Sequence, residues 1–350
     1  MLNSLFGRFS HDLGIDLGTT RTRIFARERG IVIDEPSVVA INTRTNQILA
    51  VGRDAESMLG KTPPHVLTSQ PLQQGLISDF EVTEKMLKFF VERIHKESFT
   101  LVPRPRVVIS VPLEVTEVER KAVEDAVLHA GAREVHVVQT AMASGIGARL
   151  PVSESLGMML VDIGGGTTEI AVLSLSGIVT WKSIPVAGKE MDRSIIQYAR
   201  EVFNLMLGER VAEKIKMRIG SATELEEPLE MDMRGRDMIT GLPKQITIND
   251  GQIREALERS VQTILNHVKA TLELTPPELV ADIYERGIVL TGGGALLRGM
   301  DRLLSRGTAI PVRVAEDPTT TVVRGTGFLL EHEDLLRDVS LPSAVESAFV

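Results

Sequence analysis

Cysteine is absent from the 350-residue sequence. Its absence excludes a disulfide scaffold, a thiol nucleophile and any zinc or iron–sulfur site with thiolate ligands. The seven histidines show no spacing typical of a metal site. No apolar run approaches the length of about 18 residues that a membrane-spanning helix needs, and the N-terminus has no signal-peptide core. We therefore expect a protein of the reducing cytoplasm.

Basic side chains are in the minority, with 39 lysines and arginines against 47 aspartates and glutamates and a net charge of −8. This balance argues against nucleic acid as a partner of the whole surface. Hydrophobic residues make up 43% of the chain, which is enough to build complete cores and excludes disorder as the main state. The length corresponds to about two domains of roughly 150 residues.

Strand-like and helix-like segments alternate along the chain, which is typical of α/β architecture. Runs of β-branched residues predict strands at residues 13–17, 31–33, 38–41, 106–111, 134–138, 158–163, 170–173 and 288–290. Helices are predicted at residues 82–96, 117–130, 192–207, 251–272 and 295–305. Thr116 and Glu119 form a capping-box pattern, and Thr275 predicts an N-cap with Pro276 at the first helical position.

The most informative feature is an internal repeat. Residues 14–20 read Gly-Ile-Asp-Leu-Gly-Thr-Thr, and residues 160–168 read Leu-Val-Asp-Ile-Gly-Gly-Gly-Thr-Thr. Each copy precedes a second strand and then a Gly-Ile-Val segment, which begins at Gly30 and at Gly177. The aspartates Asp16 and Asp162 are 146 residues apart, and the Gly-Ile-Val segments are 147 apart. This spacing predicts two related domains, each opening with a β-hairpin.

The two hairpin turns, which we name the first glycine turn (residues 18–21) and the second glycine turn (residues 164–167), are rich in glycine and hydroxyl groups. Glycine brings backbone N–H groups close to a ligand, and successive N–H groups form a concavity that binds anions. Asp16 and Asp162 precede these turns and are placed to hold Mg²⁺ through water. In the alternative interpretation, the aspartates only cap tight hairpins. We interpret the matched pair as a phosphate clamp.

A third glycine cluster, residues 290–295, reads Leu-Thr-Gly-Gly-Gly-Ala after a buried strand. A glycine-rich turn between a strand and a helix lets a ligand approach the backbone and the helix N-terminus. Alone, this cluster is a weak indication of a ligand site. As the third glycine-rich segment after the two hairpin turns, it is a specific one.

These motifs resemble the actin-like ATPase superfamily, and more closely its bacterial actins of the MreB type, from Asp12 to about Glu331. The resembling segments are residues 15–20, 35–40, 162–169, 212–222, 234–236, 276–282, 287–298, 317–318 and 324–325. The resemblance implies an actin-like fold of two duplicated ribonuclease-H-like domains around a nucleotide cleft. The expected domains are residues 11–148, with a helix at 318–332 packing back, and residues 149–317. They are flanked by a membrane-binding segment at 1–10 and a tail at 333–350.

The resemblance also implies ATP and Mg²⁺ as cofactors and assigns the site residues. The phosphates would be bound by Gly18, Thr19, Thr20 and Arg21 of the first turn and by Gly164, Gly165, Gly166 and Thr167 of the second turn. The nucleoside would contact Glu213, Lys214 and Lys216, and the adenosine would lie along Gly292, Gly293, Gly294 and Ala295. The metal would be held by Asp16 and Asp162. From the residues alone, Glu213 and Lys216 are charged positions on a solvated helix face.

Two positions depart from the family pattern. Relatives usually place a glutamate that orients or activates the attacking water where this chain has Thr140. A threonine cannot act as a general base near neutral pH, whereas the neighbouring Gln139 can orient a water after a local shift. We therefore expect slow or absent hydrolysis with ATP binding retained. Arg21 replaces the usual asparagine, and it either pairs with phosphate oxygens or points to solvent.

Two apolar segments are candidates for membrane contact. Four residues follow helical i, i+3, i+4, i+7 spacing at the N-terminus, namely Leu2, Leu5, Phe6 and Phe9. The alternative is a frayed terminus or one docked on its own domain. In the family, a second apolar loop faces the membrane. Its counterpart holds Phe99, Leu101 and Val102 for insertion, with Arg104 and Arg106 expected near anionic lipid head groups. In the alternative, this loop covers the core beneath it.

The resemblance implies self-assembly into filaments, with paired protofilaments, on the inner membrane surface. Val118 or Val123 on the helix at 117–130 is expected to be exposed for this pairing. The expected role is control of cell shape together with cell-wall synthesis proteins. Two alternatives are a filament that positions organelles or plasmids and a small-molecule kinase of the same fold.

Overall fold

The computed structural model describes residues 11–96 and 104–342. These residues divide into two compact units. Unit 1 contains residues 11–154, 175–177 and 320–342 within the described ranges, and unit 2 contains residues 155–174 and 178–319. Unit 1 is therefore built from both ends of the described chain.

Strands and helices alternate along both units. The strands, in chain order, are β1 Leu13–Leu17, β2 Arg21–Ala26, β3 Gly30–Pro36, β4 Val39–Asn42, β5 Gln47–Val51, β6 Val66–Ser69, β7 Leu72–Gln73, β8 Leu76–Ile77, β9 Arg106–Val111, β10 Glu134–Gln139, β11 Met158–Ile163, β12 Thr168–Ser174, β13 Gly177–Ile184, β14 Leu205–Met206, β15 Glu230–Asp237, β16 Pro243–Asn249, β17 Ile288–Thr291 and β18 Val312–Val314. The helices are α1 Arg53–Met58, α2 Phe80–Lys96, α3 Glu117–His129, α4 Thr140–Gly147, α5 Gly188–Phe203, α6 Glu209–Ile219, α7 Asp250–Glu273, α8 Pro277–Arg286, α9 Met300–Thr308, α10 Thr321–Leu329 and α11 Glu333–Val339.

The main sheet of unit 1 has the order β10-β9-β1-β2-β3. β1 pairs antiparallel with β2 and parallel with β9, and β9 pairs parallel with β10. The central strands carry side chains that are buried on both faces, as expected for strands covered by helices. Ile15, Ile24 and Ile109 belong to one apolar core together with Phe90 of α2.

The main sheet of unit 2 has the order β13-β12-β11-β17-β18. β11 pairs antiparallel with β12 and parallel with β17, and β17 pairs parallel with β18. Each strand thus has a counterpart of the same order and direction in the sheet of unit 1. This agreement confirms the duplication and the opening β-hairpins that the sequence repeat predicts.

Each unit also carries a smaller three-stranded sheet. β5-β4-β6 lies in unit 1, and β14-β15-β16 lies in unit 2. In unit 1, α1 packs against β4, β5 and β6, and Ala55 of α1 is fully buried. In unit 2, α6 packs against β15.

The C-terminal helices close unit 1. α10 packs against α4 and β1, and the crossing of α4 and α10 is very close. A Cβ added at Gly147 would lie 1.8 Å from the Thr321 carbonyl oxygen, and one added at Gly325 would lie 1.8 Å from the Ala143 carbonyl oxygen. After α11, Ser340 forms an antiparallel bridge to Val138, so the chain extends the sheet at the β10 edge.

The capping box of α3 is confirmed, since the Thr116 hydroxyl accepts from the Glu119 N–H and the Glu119 carboxylate accepts from the Thr116 N–H. The cap predicted at Thr275 is wrong. Its hydroxyl donates to the Thr271 carbonyl at 2.7 Å, and Pro276 is the N-cap of α8. The hydroxyl is therefore used by the preceding helix.

Two helix predictions have wrong bounds because residues with positive φ interrupt them. The segment predicted at 295–305 is a 3-10 turn, Gly293–Leu296, followed by α9, and Gly299 between them has φ 74°. The helix predicted at 192–207 begins at Gly188 and ends at Phe203, since Asn204 is left-handed with φ 51°. A Cβ at Gly299 would also lie 2.0 Å from Thr223 Oγ1, so only glycine fits there.

Candidate functional site

The first glycine turn joins β1 to β2 in unit 1. The Gly18 N–H donates to the Arg21 carbonyl at 3.1 Å, which closes the turn. Two neighbouring segments fix it from outside: the Ser37 hydroxyl donates to the Gly18 carbonyl at 2.7 Å, and the Gly75 N–H donates to Thr19 Oγ1 at 2.6 Å. A Cβ at Gly18 would lie 2.7 Å from the Arg21 carbonyl oxygen, so the turn requires glycine.

The second glycine turn joins β11 to β12 in unit 2 and is closed in the same way. The Gly164 N–H donates to the Thr167 carbonyl at 2.9 Å. The first residues of α5 hold this turn, because the Gly188 N–H donates to the Gly164 carbonyl at 3.1 Å and the Lys189 N–H donates to the Gly165 carbonyl at 2.8 Å. The two copies of the repeat therefore share the same backbone hydrogen bond at the turn.

The two aspartates that precede the turns have different partners. Asp16 forms an ion pair with Arg23, with 3.5 Å between Oδ2 and Nη1. Asp162 is buried, and its Oδ2 accepts from the Thr291 hydroxyl at 3.0 Å. Within residues 11–96 and 104–342, no group of three or more His, Cys, Asp or Glu side chains could hold a metal ion. Each aspartate by itself is a ligand of the kind that Mg²⁺ takes, since this ion binds through one or two carboxylates together with phosphate oxygens and waters.

Arg21 is held by an acidic side chain on β3. Its Nε lies 2.7 Å from Asp34 Oδ1, and its Nη2 donates to the Asp34 carbonyl at 2.9 Å. Arg23 Nε also lies 3.2 Å from Asp34 Oδ1, so Asp34 binds both arginines. The guanidinium of Arg21 thus points to a carboxylate of its own unit, and its contact with phosphate oxygens stays a prediction.

The third glycine cluster packs directly on the end of β11. A Cβ at Gly292 would lie 2.4 Å from the Ile163 carbonyl oxygen, and one at Gly294 would lie 2.2 Å from Ile163 Cγ2. Ala295 is buried beside them. A Cβ at Gly293 would meet nothing within 4 Å, so the backbone there borders open space. Only glycine permits this close packing beside Asp162.

The predicted nucleoside residues lie on α6 but differ in exposure. Glu213 and Lys214 are exposed. The ammonium of Lys216 lies 2.8 Å from Asp192 Oδ1 and donates to the Gly188 carbonyl at 2.8 Å, so the alternative of a solvated position does not hold for Lys216, and its nucleoside contact stays a prediction. Burial raises the pKa of Asp192 to about 6, and the nearby Lys216 charge opposes this rise. Burial also lowers the pKa of Lys189 in the first turn of α5.

Gln139 and Thr140 stand where β10 ends and α4 begins, and both are half-buried. β1, β9 and β10 run parallel, so their C-terminal ends lie at one edge of the sheet. This edge is also where the first glycine turn leaves β1. Thr140 is therefore on the same side of unit 1 as the first glycine turn.

A family model of the MreB/Mbl protein matches residues 10–338. The chain belongs to the MreB/Mbl family. It is 49% identical over 339 residues to the cell shape-determining protein MreB of Escherichia coli strain K12, covering 96% of this chain and 97% of the relative. It is 44% identical to the cell shape-determining protein Mbl of Bacillus subtilis strain 168, covering 94% and 98%.

Solved structures show the fold of this MreB/Mbl chain. MreB5 of Spiroplasma citri bound to ADP superposes with a TM-score of 0.88 at 34% identity, covering 93% of this chain and 97% of that chain. The MamK double helical filament superposes with a TM-score of 0.77 at 22% identity, covering 92% and 99%. The actin-like two-domain α/β fold that the resemblance implies is therefore confirmed.

The membrane segments predicted for this MreB/Mbl chain, residues 1–10 with Leu2, Leu5, Phe6 and Phe9 and the loop with Phe99, Leu101 and Val102, lie outside the described residues. The expectation for Arg106 is wrong. Its side chain is mostly buried, and it pairs with Asp12 at 3.3 Å and with Glu333 at 2.9 Å. Arg104 is exposed. In the described part of the chain, no helix combines the length and apolarity that crossing a membrane requires.

Sequence reasoning missed several residues that shape the site. Asp192 and Gly188 bind Lys216, Ser37 and Gly75 fix the first glycine turn, and Thr291 binds Asp162. Ser37 and Thr291 lie inside motifs that carry the MreB/Mbl resemblance, which was the available signal. Asp192 gave none, because one acidic residue in a helix is ordinary and its partner is 24 positions away.

Proposed function

We propose that this chain binds Mg–ATP and polymerises into actin-like filaments on the inner face of the cell membrane, where it organises wall synthesis and cell shape. The observation that carries the proposal is the matched pair of glycine turns, each closed by the same backbone hydrogen bond in equivalent sheets. Two relatives support it: MreB5 of Spiroplasma citri has been crystallised with ADP and with AMPPNP, and MamK forms a double helical filament.

Both glycine turns offer backbone N–H groups to phosphate oxygens, and Thr19 and Thr167 add hydroxyls. Lys216 has three N–H donors; it donates to the Gly188 carbonyl and forms an ion pair with Asp192, and we propose that the ammonium also donates to the ligand. The open backbone at Gly293 is available to the adenosine. Asp16 and Asp162 would hold Mg²⁺ through water, and the ion supplies positive charge to the phosphates when bound. Thr140 supplies no base, so the bound ATP is hydrolysed slowly.

Membrane attachment is assigned to the apolar N-terminal residues. Inserting the four apolar side chains into the membrane would contribute roughly 6–12 kcal/mol to the binding free energy, at about 1.5–3 kcal/mol each. The cost of ordering the segment offsets much of this contribution. One copy therefore binds weakly, while many copies along a filament bind firmly by avidity. The net charge of −8 favours attachment through local apolar residues.

The decisive test images the purified chain by electron microscopy on vesicles that contain anionic lipid, with and without Mg–ATP. We expect filaments that lie on the vesicles only with nucleotide. The matched variant carries Leu5→Ser, Phe6→Ser and Phe9→Ser, and it should form filaments that no longer sediment with vesicles. Vesicle binding that survives the three substitutions would remove the membrane role of this segment.

Filaments without any vesicle binding by the unchanged protein would instead favour a filament that positions organelles or plasmids. The family assignment already favours a filament over the kinase alternative.

A further inference from the structure

A buried ion pair joins α5 and α6 of unit 2. The ammonium of Lys216 on α6 lies between two oxygens of α5, Asp192 Oδ1 and the Gly188 carbonyl, each at 2.8 Å. The side chains of Lys216 and Asp192 are only 15% and 12% exposed. Desolvation opposes both charges, so each ion depends on the other.

The same first turn of α5 holds the second glycine turn. Gly188 and Lys189 donate their N–H groups to the carbonyls of Gly164 and Gly165. A Cβ at Gly188 would lie 3.3 Å from the Gly164 carbonyl oxygen and 3.5 Å from Lys216 Nζ. Gly188 thus touches the turn on one side and the lysine on the other. A continuous set of contacts runs from α6 through Asp192 and Gly188 to the turn.

The ammonium of Lys216 contacts two oxygens of different kinds. The Gly188 carbonyl is neutral and belongs to the backbone, so it cannot balance the lysine charge. Asp192 provides the balancing charge and keeps the ammonium against Gly188. Without that carboxylate, a buried ammonium would turn toward water and release the first turn of α5.

We propose that Asp192 is a positioning residue for the nucleotide, acting through Lys216 to hold the second glycine turn in the form that binds the phosphates of a nucleoside di- or triphosphate. The inference rests on the proposed nucleotide binding. Asp192 does not touch the ligand. It fixes Lys216, and Lys216 with Gly188 fixes the backbone that would cradle phosphate.

The first experiment needs no nucleotide. Amide hydrogen exchange is followed in peptides that contain residues 164–167 and 188–191, in the unchanged protein, Asp192→Asn, Lys216→Met and the double variant. We expect both single variants to exchange faster in both peptides, and the double variant to exchange no faster than Lys216→Met. Glu201→Gln, an exposed acid on the same helix, is the control and should change neither peptide. Unchanged exchange at 164–167 in Asp192→Asn would overturn the inference.

The second experiment titrates the same variants with ATP and ADP. Asp192→Asn should weaken both affinities about five- to tenfold, the size of a typical coupling between sites. In the Lys216→Met background the further substitution should have no effect, because the lysine through which Asp192 acts is gone. Equal effects of Asp192→Asn in both backgrounds would show a purely structural role. If the unchanged protein bound neither nucleotide, the proposed function would fail, and hydrogen exchange would still decide the role of Asp192.

Discussion

At the scale of single residues, Thr140 is the position to which we attribute the slow turnover of the proposed site. Its hydroxyl stands at the start of α4, on the sheet edge that carries the first glycine turn. A carboxylate there could accept a proton or a hydrogen bond from an attacking water, and a threonine cannot replace it as a base.

Replacing Thr140 with glutamate should therefore accelerate phosphate release. General-base catalysis typically contributes on the order of 10²-fold or more. The measurement is inorganic phosphate released from Mg–ATP at saturating nucleotide, with Thr140→Gln as the control of similar size and no charge. Brisk release by the unchanged protein would contradict the prediction.

Asp192 makes a specific contribution to the pH dependence of stability. Burial raises its folded-state pKa to about 6, above the value of 3.8 for an exposed aspartate. The native state thus binds a proton more tightly, and Asp192 favours folding at low pH and loses that effect as the pH rises through about 6. The surrounding charges that face it are Lys216, Glu213 and Glu209 on α6 and Lys189 on its own helix.

Between about pH 5 and about pH 8, Asp192 should lower the free energy of unfolding of the unchanged protein by about 1 kcal/mol. The Asp192→Asn variant should lack this fall. Urea unfolding at the two pH values measures it. Carboxylates with lowered pKa, such as Asp237, act in the opposite direction, but they are the same in both proteins. An identical pH dependence in the two proteins would refute the assignment.

At the scale of single residues, the sequence predicted which residue types form the site better than which side chains they pair with. Glycines and aspartates of the two turns follow from the repeat, whereas the Asp34 partner of Arg21 does not. That ion pair depends on the β2–β3 register, which shifts at Ile24 and Phe25, and a sequence does not show such an irregularity.

Among the elements, the crossing of α4 and α10 is the most constrained contact of unit 1. The two helices approach so closely that the backbone of each fills the place of a side chain on the other. Overpacking such a contact forces the helices apart, which is costly in a dense interior.

Gly325→Ala should destabilise unit 1 by about 1–3 kcal/mol or more, because the new Cβ would lie 1.8 Å from the Ala143 carbonyl oxygen. The midpoint of chemical unfolding measures the loss. Gly208→Ala is the matched control, since a Cβ there meets nothing within 4 Å, and we expect a change below about 1 kcal/mol. Equal effects of the two substitutions would show that the crossing tolerates a methyl group.

The ends of the strands that were predicted agree better with the structure than the ends of the predicted helices. Buried strands such as β1 and β11 are short, mainly apolar segments that end at turn residues, which is a local signal. The break at Gly299 instead depends on the approach of Thr223, 76 positions earlier in the chain. Contacts of that kind lie outside any sequence window.

At the scale of the whole molecule, exposure to solvent separates the two valines that are candidates for protofilament pairing. Val118 on α3 is 80% exposed, as expected, but Val123 is only 2% exposed, so that alternative is wrong. Val123 faces the core with Ala126, and of the two valines only Val118 can meet another copy of the chain.

Val118→Glu should therefore leave folding unchanged and give single protofilaments in place of pairs, because like charges would meet across the contact. Electron microscopy of filaments with Mg–ATP measures the ratio of single to paired strands. Val118→Ala, which removes bulk without adding charge, should keep most pairs. Pairing unaffected by the glutamate would place the contact elsewhere.

The architecture of unit 1 also sets an order of events during translation. Its first 154 residues leave the ribosome before unit 2, but α10, which covers β1 and α4, is made only after unit 2. Domains generally fold as units while they are synthesised. The apolar surface of β1 and α4 that α10 covers therefore stays uncovered in the nascent chain until residue 329 has been added.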